Sequence, residues 1–232
     1  MNHFIQIIQE YSRKKEDKIN QQILDADPKK STSIANLIDK TLNTGHKVYL
    51  MSDWHLIKFD KDTKANYQNP KTNTIIKNCQ SIINHDDLLI FLGDICDGEI
   101  EKKQEISSIL QQIPGIKIMT RGNNDLFDDQ WYLDNGFRYV TPKFIWNDIL
   151  FSHRPQDNQN KLNIHGHIHG SHKYYASEIS HFHNQIDVAY FGGREKPLEL
   201  NWLIDQFPKY KRTAVFIDKP WKNDPRVDGK PS

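Results

Sequence analysis

The chain has 232 residues, of which 37% are hydrophobic and 26% charged, and its formal net charge is +1. This length is sufficient for one domain with a sizeable core plus appendages. The balanced charge gives no indication of nucleic acid or a membrane surface as a partner. No apolar run reaches the roughly 20 residues that span a bilayer, and we predict no secretory signal at the N-terminus.

Cysteine and histidine usage are both informative. Only Cys79 and Cys96 are present, which is too few for a disulfide framework and favours a reducing, cytoplasmic setting with two buried thiols. Histidine is clustered, because seven of the 11 histidines fall between positions 153 and 183. This clustering indicates a local chemical role for histidine in the second half of the chain.

Apolar residues of the N-terminal segment recur at helical spacing. Residues 4–23 place isoleucine, phenylalanine and tyrosine on one face, and the Asp-Pro pair at 27–28 ends this pattern. A second short helix is predicted to begin near Ser31 or Ser33 and to stop at Gly45. We therefore assign residues 1–45 to a helical N-terminal addition that packs against the core or a partner.

The next part of the chain alternates strands with helices. Three short apolar runs predict buried strands, and two apolar stripes between them predict helices, at 47–52, 75–83, 88–92, 106–113 and 116–120. Residues 56–70 are predicted to form a polar loop. Strand, helix, strand, helix, strand is the rhythm of an α/β sheet.

The second half is predicted to contain strands joined without long helices. Their apolar runs lie at 144–146, 149–152, 162–165 and 186–191. We place the main domain at residues 46–206 and treat residues 207–232 as a C-terminal extension. From Asp218 onward the composition turns to Pro, Lys, Asp and Gly, which predicts an irregular tail.

Metal-capable side chains follow the predicted strands directly. They are Asp53, His55, Asp94, Asn123, His153, His167 and His169. Because sites in open α/β sheets form at the carboxyl ends of strands, we expect these side chains to meet at one rim. Glycines precede Asp94, Asn123 and His167, where they let the backbone turn sharply and approach an ion closely.

The types of ligand in this set predict two transition-metal ions. Imidazole suits Zn, Fe, Ni and Mn better than Mg, whereas carboxylate and amide oxygens suit harder ions. The set is larger than one tetrahedral site uses, and Asp94 is our candidate for a carboxylate that bridges two ions. An ion pair about 3.5 to 4 Å apart lowers the pKa of bound water and clamps the oxygens of an in-line displacement, which suits phosphate esters.

The successive motifs of the chain resemble those of calcineurin-like metallophosphoesterases. They are Asp53-Trp54-His55, Gly93-Asp94-Ile95-Cys96-Asp97, Gly122-Asn123-Asn124-Asp125, Ser152-His153 and Gly166-His167-Ile168-His169. The resemblance spans residues 47–200 and is closest to the small single-domain prokaryotic and phage-type members. It implies an α/β fold, a four-layer αββα sandwich of two mixed β-sheets flanked by helices, with a dinuclear metal site at the strand C-terminal ends.

The resemblance also implies a ligand set for each ion. One ion would be held by Asp53, His55, Asp94 and His169. The other would be held by Asp94, Asn123, His153 and His167. Asp94 would bridge the two. We expect Mn²⁺, with Fe, Zn or Ni as alternatives. A water or hydroxide shared by the ions would be the nucleophile, so no covalent enzyme intermediate is implied.

One position departs from the family pattern. The family usually has His directly after the ligand Asn, and this chain has Asn124. Asn donates a hydrogen bond but is not an acid at neutral pH. We therefore predict phosphodiester or activated phosphate substrates over alkyl monoesters, with a small nucleotide-like diester in first place. A nuclease or phosphomonoesterase of the same fold, or a degenerate metal-binding scaffold, are the alternatives, and the absence of a basic, aromatic-rich stripe disfavours nucleic acid.

Three residues besides the ligands are predicted to serve catalysis: Asn124, Asp125 and Arg154. Asp125 is expected to orient a ligand or Asn124, or to act as a plain cap, and Asp97 has the same two possibilities. Arg121 and Arg154 flank ligand positions and are predicted either to engage the substrate phosphate or to form structural ion pairs.

Several histidines lie outside the proposed ligand set. His165 and His172 border the last motif and are candidates for the missing acid. His85, His181 and His183 are expected to be structural or solvated.

Overall fold

The computed structural model of the protein describes residues 27–60, 65–96, 102–125, 127–156, 161–169 and 184–210. The predicted N-terminal helix over residues 4–23 and the predicted tail lie outside the described residues. So do Asp97, His172, His181 and His183, for which the expectations above stay predictions.

The helices of the described residues are α1 (Pro28–Asn43), α2 (Thr72–Ile82), α3 (Lys103–Leu110), α4 (Asp129–Asp134) and α5 (Leu200–Tyr210). The strands are β1 (Val48–Met51), β2 (Ile57–Asp60), β3 (Ala65–Gln68), β4 (Leu88–Phe91), β5 (Ile116–Thr120), β6 (Phe137–Thr141), β7 (Lys143–Trp146), β8 (Ile149–Ser152), β9 (Asn163–His165), β10 (Gln185–Asp187) and β11 (Leu198–Glu199). None of these helices has both the length and the apolar character that crossing a membrane requires.

The strands form two mixed sheets and a separate hairpin. The larger sheet has the order β11-β1-β4-β5-β6, in which β1, β4, β5 and β6 are parallel and β11 is antiparallel. The smaller sheet has the order β10-β9-β8-β7, in which only β7 is antiparallel to its neighbour. The predicted α/β fold of two mixed sheets flanked by helices is confirmed.

The two sheets pack face to face through one apolar cluster. Leu50 and Ile90 of the larger sheet and Phe151 and Ile164 of the smaller sheet are all fully buried in it. Ile38 of α1 belongs to the same cluster, so this helix is part of the core. Full burial of such a side chain stabilises the fold by about 1.5 to 3 kcal/mol.

A second apolar cluster covers the outer face of the larger sheet. Met51 and Phe91 of the sheet pack there with Cys79 of α2, Ile106 of α3 and Tyr132 of α4. Burial raises the pKa of the Cys79 thiol to about 12, and both cysteines are free and buried. The prediction of two buried thiols is therefore confirmed.

Helix α1 begins earlier than the sequence pattern predicted. The Asp27 carboxylate accepts the amides of the first turn, and Pro28 occupies the first helical position, where its missing N–H has no cost. The predicted start at Ser31 or Ser33 was therefore wrong. The Ser31 hydroxyl instead accepts the Ile145 amide of edge strand β7 at 3.1 Å, which covers part of that edge.

Two loop assignments also require correction. The predicted polar loop over residues 56–70 contains the antiparallel hairpin of β2 and β3. The strands were missed because this stretch is rich in Lys, Asp and Asn, which are uncommon in strands. The strand predicted over 186–191 ends at Asp187, and turns follow as far as Glu195. Gly192, with φ of 89°, takes a left-handed conformation within these turns.

Candidate metal centre

The predicted ligands lie at the carboxyl ends of five strands, and backbone hydrogen bonds join the loops that carry them. The Asp53 amide donates to the Gly93 carbonyl at 2.9 Å, which links the loops after β1 and β4. The Gly166 amide donates to the His153 carbonyl at 3.0 Å, which links the loops after β8 and β9. The His167 amide reaches across the sheets to Asp53 Oδ1 at 3.0 Å. The two sheets are therefore tied together at this rim.

The backbone at most of these positions is left-handed. Positive φ angles occur at Asp53 (55°), His55 (46°), Asp94 (59°), His167 (71°) and His169 (54°). Non-glycine residues rarely adopt this region, and each instance costs on the order of 1 to 3 kcal/mol unless its surroundings hold it. Such backbone strain is typical of functional sites. Here the left-handed conformations direct the side chains of separate loops toward one another.

The first group of converging side chains is Asp53, His55, Asp94 and His169. Their potential ligand atoms all lie within 4.8 Å of one another. His55 Nε2 lies 3.0 Å from His169 Nε2, and His169 Nε2 lies 3.1 Å from Asp53 Oδ1. The first three residues are buried, whereas His169 is exposed. The group therefore opens to solvent on the His169 side.

The second group is Asp94, His153 and His167, with Asn123 beside it. His153 Nε2 lies 3.3 Å from Asp94 Oδ2 and 3.2 Å from His167 Nδ1. Asn123 Oδ1 lies 3.1 Å from His153 Nε2. Asp94 belongs to both groups. The structure thus brings together all the predicted ligands and places the Asp94 carboxylate between the two groups.

The hydrogen bonds of His153 show that this geometry fits a cation. Its Nδ1 donates to the Leu92 carbonyl at 2.8 Å, so Nε2 points into the cluster. There Nε2 lies 3.1 Å from Asn123 Oδ1 and 3.3 Å from Asp94 Oδ2. Because these buried oxygens are acceptors, they need a positive charge beside them, which is a proton on Nε2 in the metal-free protein and which a metal ion would replace.

The ionisation states of the two carboxylates, Asp94 and Asp53, also favour a bound cation. Burial raises the pKa of Asp94, but the positive charges of His153 and His55 lower it by a larger amount. The resulting pKa is well below the usual range of a carboxyl group. For Asp53, the His169 hydrogen bond and the His153 charge likewise outweigh burial, and the net pKa is lowered. Both carboxylates are therefore negative at neutral pH.

The two histidines of the second group differ in their proton affinity. Burial lowers the pKa of His153, but the Asp94 carboxylate raises it more, to about 9 in the metal-free protein. Burial, together with the positive charges of His153 and Arg154, lowers the pKa of His167 to about 3. His167 is thus a neutral imidazole, and at His153 a proton competes with a metal ion for the same lone pair.

Asp125 connects the loops that carry Asp94 and Asn123. Its buried carboxylate accepts the amides of Asp94 at 2.9 Å, Ile95 at 2.9 Å and Gly122 at 2.7 Å. Burial raises the pKa of Asp125, as does the Asp94 charge, while these amide donors oppose the shift. The carboxylate joins two ligand-bearing loops through their backbone amides, which fits both alternatives predicted for it, orientation of a ligand and capping.

Asn124 contacts the shared carboxylate directly. Its backbone amide donates to Asp94 Oδ1 at 2.9 Å, and its side-chain Nδ2 donates to Asp94 Oδ2 at 2.9 Å. Gly122 allows this close approach, because a Cβ at that position would overlap the Asp94 carboxylate. The position where the family usually has His therefore lies beside the centre.

Three other predicted residues have different surroundings. The Arg121 guanidinium pairs with the Asp129 carboxylate at 3.0 Å and donates to the carbonyls of Phe127 at 2.6 Å and Asp125 at 2.7 Å, which fits the structural ion pair predicted as the alternative. His165 is fully buried with Nδ1 on the Gly166 carbonyl at 2.8 Å, and the suggestion that it protonates a leaving group was wrong. Arg154 is partly buried beside His167, whose pKa it lowers.

Sequence reasoning missed Arg194. Its Nε donates to the Asp53 carbonyl at 3.2 Å, and its side chain lines a cavity of about 300 Å³ that Asp53 also lines. The available signal was Gly192-Gly193 directly before it, after the last predicted strand. The same arrangement of glycine and functional side chain had identified Asp94 and Asn123.

Two mixed sheets flanked by helices, with Asp, His and Asn side chains converging at the strand ends, define a class of metal-dependent hydrolases. Residues 46–226 match the family described as calcineurin-like phosphoesterase. The protein belongs to this family. Membership implies metal-dependent hydrolysis of phosphoesters, typically with two divalent metal ions.

Three known proteins are similar to the chain. The uncharacterized protein MJ1445 of Methanocaldococcus jannaschii is 27% identical over 184 residues, which cover 74% of this chain and 97% of that protein. The structure of AQ665, a protein of unknown function from Aquifex aeolicus, has a TM-score of 0.48 and 22% identity, covering 69% of this chain and 98% of that one. The nuclease MPE of Pseudomonas putida has a TM-score of 0.38 and 18% identity, covering 54% and 62%.

Proposed function

We propose that the protein is a phosphodiesterase that hydrolyses a small nucleotide-like phosphodiester with two divalent transition-metal ions, of which Mn²⁺ is the expected one. The observation that carries this proposal is the convergence of Asp, His and Asn side chains from five strand ends into two groups that share Asp94. Their acceptor atoms face one another in a largely buried rim, which is the arrangement that cations stabilise.

The side chains divide between the two ions as follows. One ion would be held by Asp53, His55, Asp94 and His169. The other would be held by Asp94, Asn123, His153 and His167. Two bound cations lower the pKa of water and stabilise the negative charge on the phosphoryl oxygens. The chain itself supplies ionised carboxylates and a neutral His167, whereas His153, with a pKa of about 9 in the metal-free protein, would release a proton when an ion binds.

The substrate preference is argued from Asn124. Its Nδ2 donates to the shared Asp94 carboxylate at 2.9 Å, so a phosphate bound at the proposed ions would lie beside Asn124. An amide N–H stabilises a phosphoryl oxygen but delivers no proton. An alkoxide leaving group requires a proton donor, whereas a more acidic leaving group departs as the anion. Phosphodiesters with such leaving groups are therefore the proposed substrates.

Arg154 is proposed to bind the phosphate. It directly follows His153, and its charge acts on His167. The Ser152 hydroxyl donates to the Arg154 carbonyl at 2.7 Å and accepts from Asn163 Nδ2 at 2.9 Å. These buried hydrogen bonds fix the backbone that carries Arg154. Guanidinium N–H groups match phosphoryl oxygens in a bidentate geometry.

The test compares bis(4-nitrophenyl) phosphate with glycerol phosphate as an alkyl monoester, in Mn²⁺ or Ni²⁺ and after chelation. We expect metal-dependent hydrolysis of the diester and little hydrolysis of the monoester. Asp94→Asn should abolish diester hydrolysis, while Asp86→Asn, an exposed control, should retain it. A clear preference for the alkyl monoester would overturn the substrate proposal. Unchanged activity of Asp94→Asn would exclude the assigned cluster.

A further inference from the structure

We infer that the cavity beside Asp53 is a subsite for a second phosphate group of the substrate and that Arg194 is the residue that binds it. This inference rests on the proposed phosphodiesterase function and makes it more specific. The natural substrate would then carry an additional phosphate close to the scissile diester, as a short nucleotide with a terminal phosphate does.

The position of the cavity supports a substrate role. Its volume is about 300 Å³, and its walls include the charged side chains of Asp53, Lys71, Arg194 and Glu195. This volume is at the lower end of the roughly 300 to 1,000 Å³ of small-molecule sites. Because Asp53 contributes to both the wall and the first ligand group, an occupant of the cavity lies next to the reacting centre.

The charges of the cavity favour an anion. Lys71 and Glu195 form an ion pair with each other, so their charges cancel. The Asp53 carboxylate is directed to the metal group, where it lies 3.1 Å from His169 Nε2. Arg194 has no carboxylate partner among the residues that the structure describes, and its described hydrogen bond is that of Nε to the Asp53 carbonyl. Its terminal nitrogens are therefore available to a ligand.

Hydrogen bonds to the residues directly before and after Arg194 fix the backbone that carries it. The Ser52 amide donates to the Gly193 carbonyl at 3.1 Å, which ties this turn to the end of β1. Asn78 Nδ2 of α2 donates to the Glu195 carbonyl at 2.8 Å. A cation that is fixed before binding loses little conformational entropy when it binds a ligand. Its planar guanidinium matches phosphate oxygens in a bidentate fashion.

A matched pair of chromogenic diesters tests the inference. Thymidine 5′-(4-nitrophenyl phosphate) and its 3′-phosphorylated counterpart differ only in the second phosphate, and both release 4-nitrophenol. In Mn²⁺, we expect the wild type to prefer the 3′-phosphorylated diester by at least about tenfold in kcat/KM, the range of a charge-assisted hydrogen bond. Arg194→Met should abolish this preference. Lys196→Met, which removes an exposed charge from the same turn, should keep it.

The ratio of the kcat/KM values for the two diesters separates binding of the second phosphate by Arg194 from any effect of Arg194 on the position of Asp53. Loss of the Nε bond to the Asp53 carbonyl would slow both substrates equally and would cancel in the ratio. The inference is overturned if the wild type shows no preference, or if Arg194→Met keeps it. If the enzyme hydrolyses neither diester, the proposed function fails, and calorimetry with thymidine 3′,5′-bisphosphate on the Mn²⁺-loaded protein decides the subsite. Equal affinity of wild type and Arg194→Met would then overturn it.

Discussion

Asp125→Asn perturbs the network behind the candidate centre without removing any proposed ligand. One carboxylate oxygen, Oδ2, accepts the amides of Asp94 and Gly122, and the other, Oδ1, accepts the Ile95 amide at 2.9 Å and lies 3.4 Å from the Tyr132 hydroxyl. An Asn side chain has a single acceptor oxygen. It can serve the two amides on the Oδ2 side, and its NH₂ group then faces the buried Ile95 amide.

The expected loss in the free energy of unfolding follows from this one unsatisfied donor, the Ile95 amide. A buried backbone N–H without an acceptor costs about 1 to 3 kcal/mol, and we expect the free energy of unfolding of the metal-free protein to fall by this amount. The displaced loops carry Asp94 and Asn123, so metal affinity should also fall. Loss of a residue that orients metal ligands costs about 10- to 100-fold in metal affinity or activity.

Two measurements check this prediction. Urea unfolding of the chelated protein gives the change in stability, and the Mn²⁺ concentration for half-maximal diester hydrolysis gives the change in affinity. Asp134→Asn is the matched control, because this exposed carboxylate accepts only Gln130 Nε2 among the described residues. Its effect should stay within about 0.5 kcal/mol. If Asp125→Asn behaves like the control in both measurements, the assigned network is wrong.

Three further predictions concern the active-site acid, the core and a buried thiol. Asn124→His should raise hydrolysis of glycerol phosphate relative to the diester, because it places a titratable donor beside Asp94; an unchanged ratio would contradict the substrate argument. Ile38→Ala should lower the free energy of unfolding by about 2 to 5 kcal/mol, whereas Ile145→Ala, exposed at 51%, should change it little. Cys79, whose pKa burial raises to about 12, should resist iodoacetamide at pH 8 until denaturant is added, as peptide mapping would show.

Strands β1, β4 and β5 of the larger sheet and the positions of the proposed ligands could be predicted from sequence because both depend on local patterns, whereas β6 and β11 of the same sheet were not predicted. β1 and β4 are buried along their whole length and appear as continuous apolar runs, and β5 is apolar apart from Lys117 and Thr120. Asp, His and Asn directly after such runs must lie at one end of a parallel sheet. The full set in order then identified the family.

The β2–β3 hairpin lies in a stretch rich in Lys, Asp and Asn, which strands usually lack, so it resembles a loop in the sequence. Other features depend on contacts between distant segments. The structural role of Arg121 is fixed by carbonyls that become acceptors only when the loop after Asn124 folds over it. Arg194 reaches Asp53 from 141 positions away; the preceding Gly192-Gly193 indicates a turn there but does not indicate its partner.

The central claim concerns a pair of cations that share one carboxylate. The most direct measurement is an anomalous-difference map from crystals of the full chain grown with Mn²⁺. Our account predicts two peaks, one among Asp53, His55 and His169 and the other among Asn123, His153 and His167, with the Asp94 carboxylate in contact with both. A map with no peak there, or one in which Asp94 touches neither ion, would contradict it.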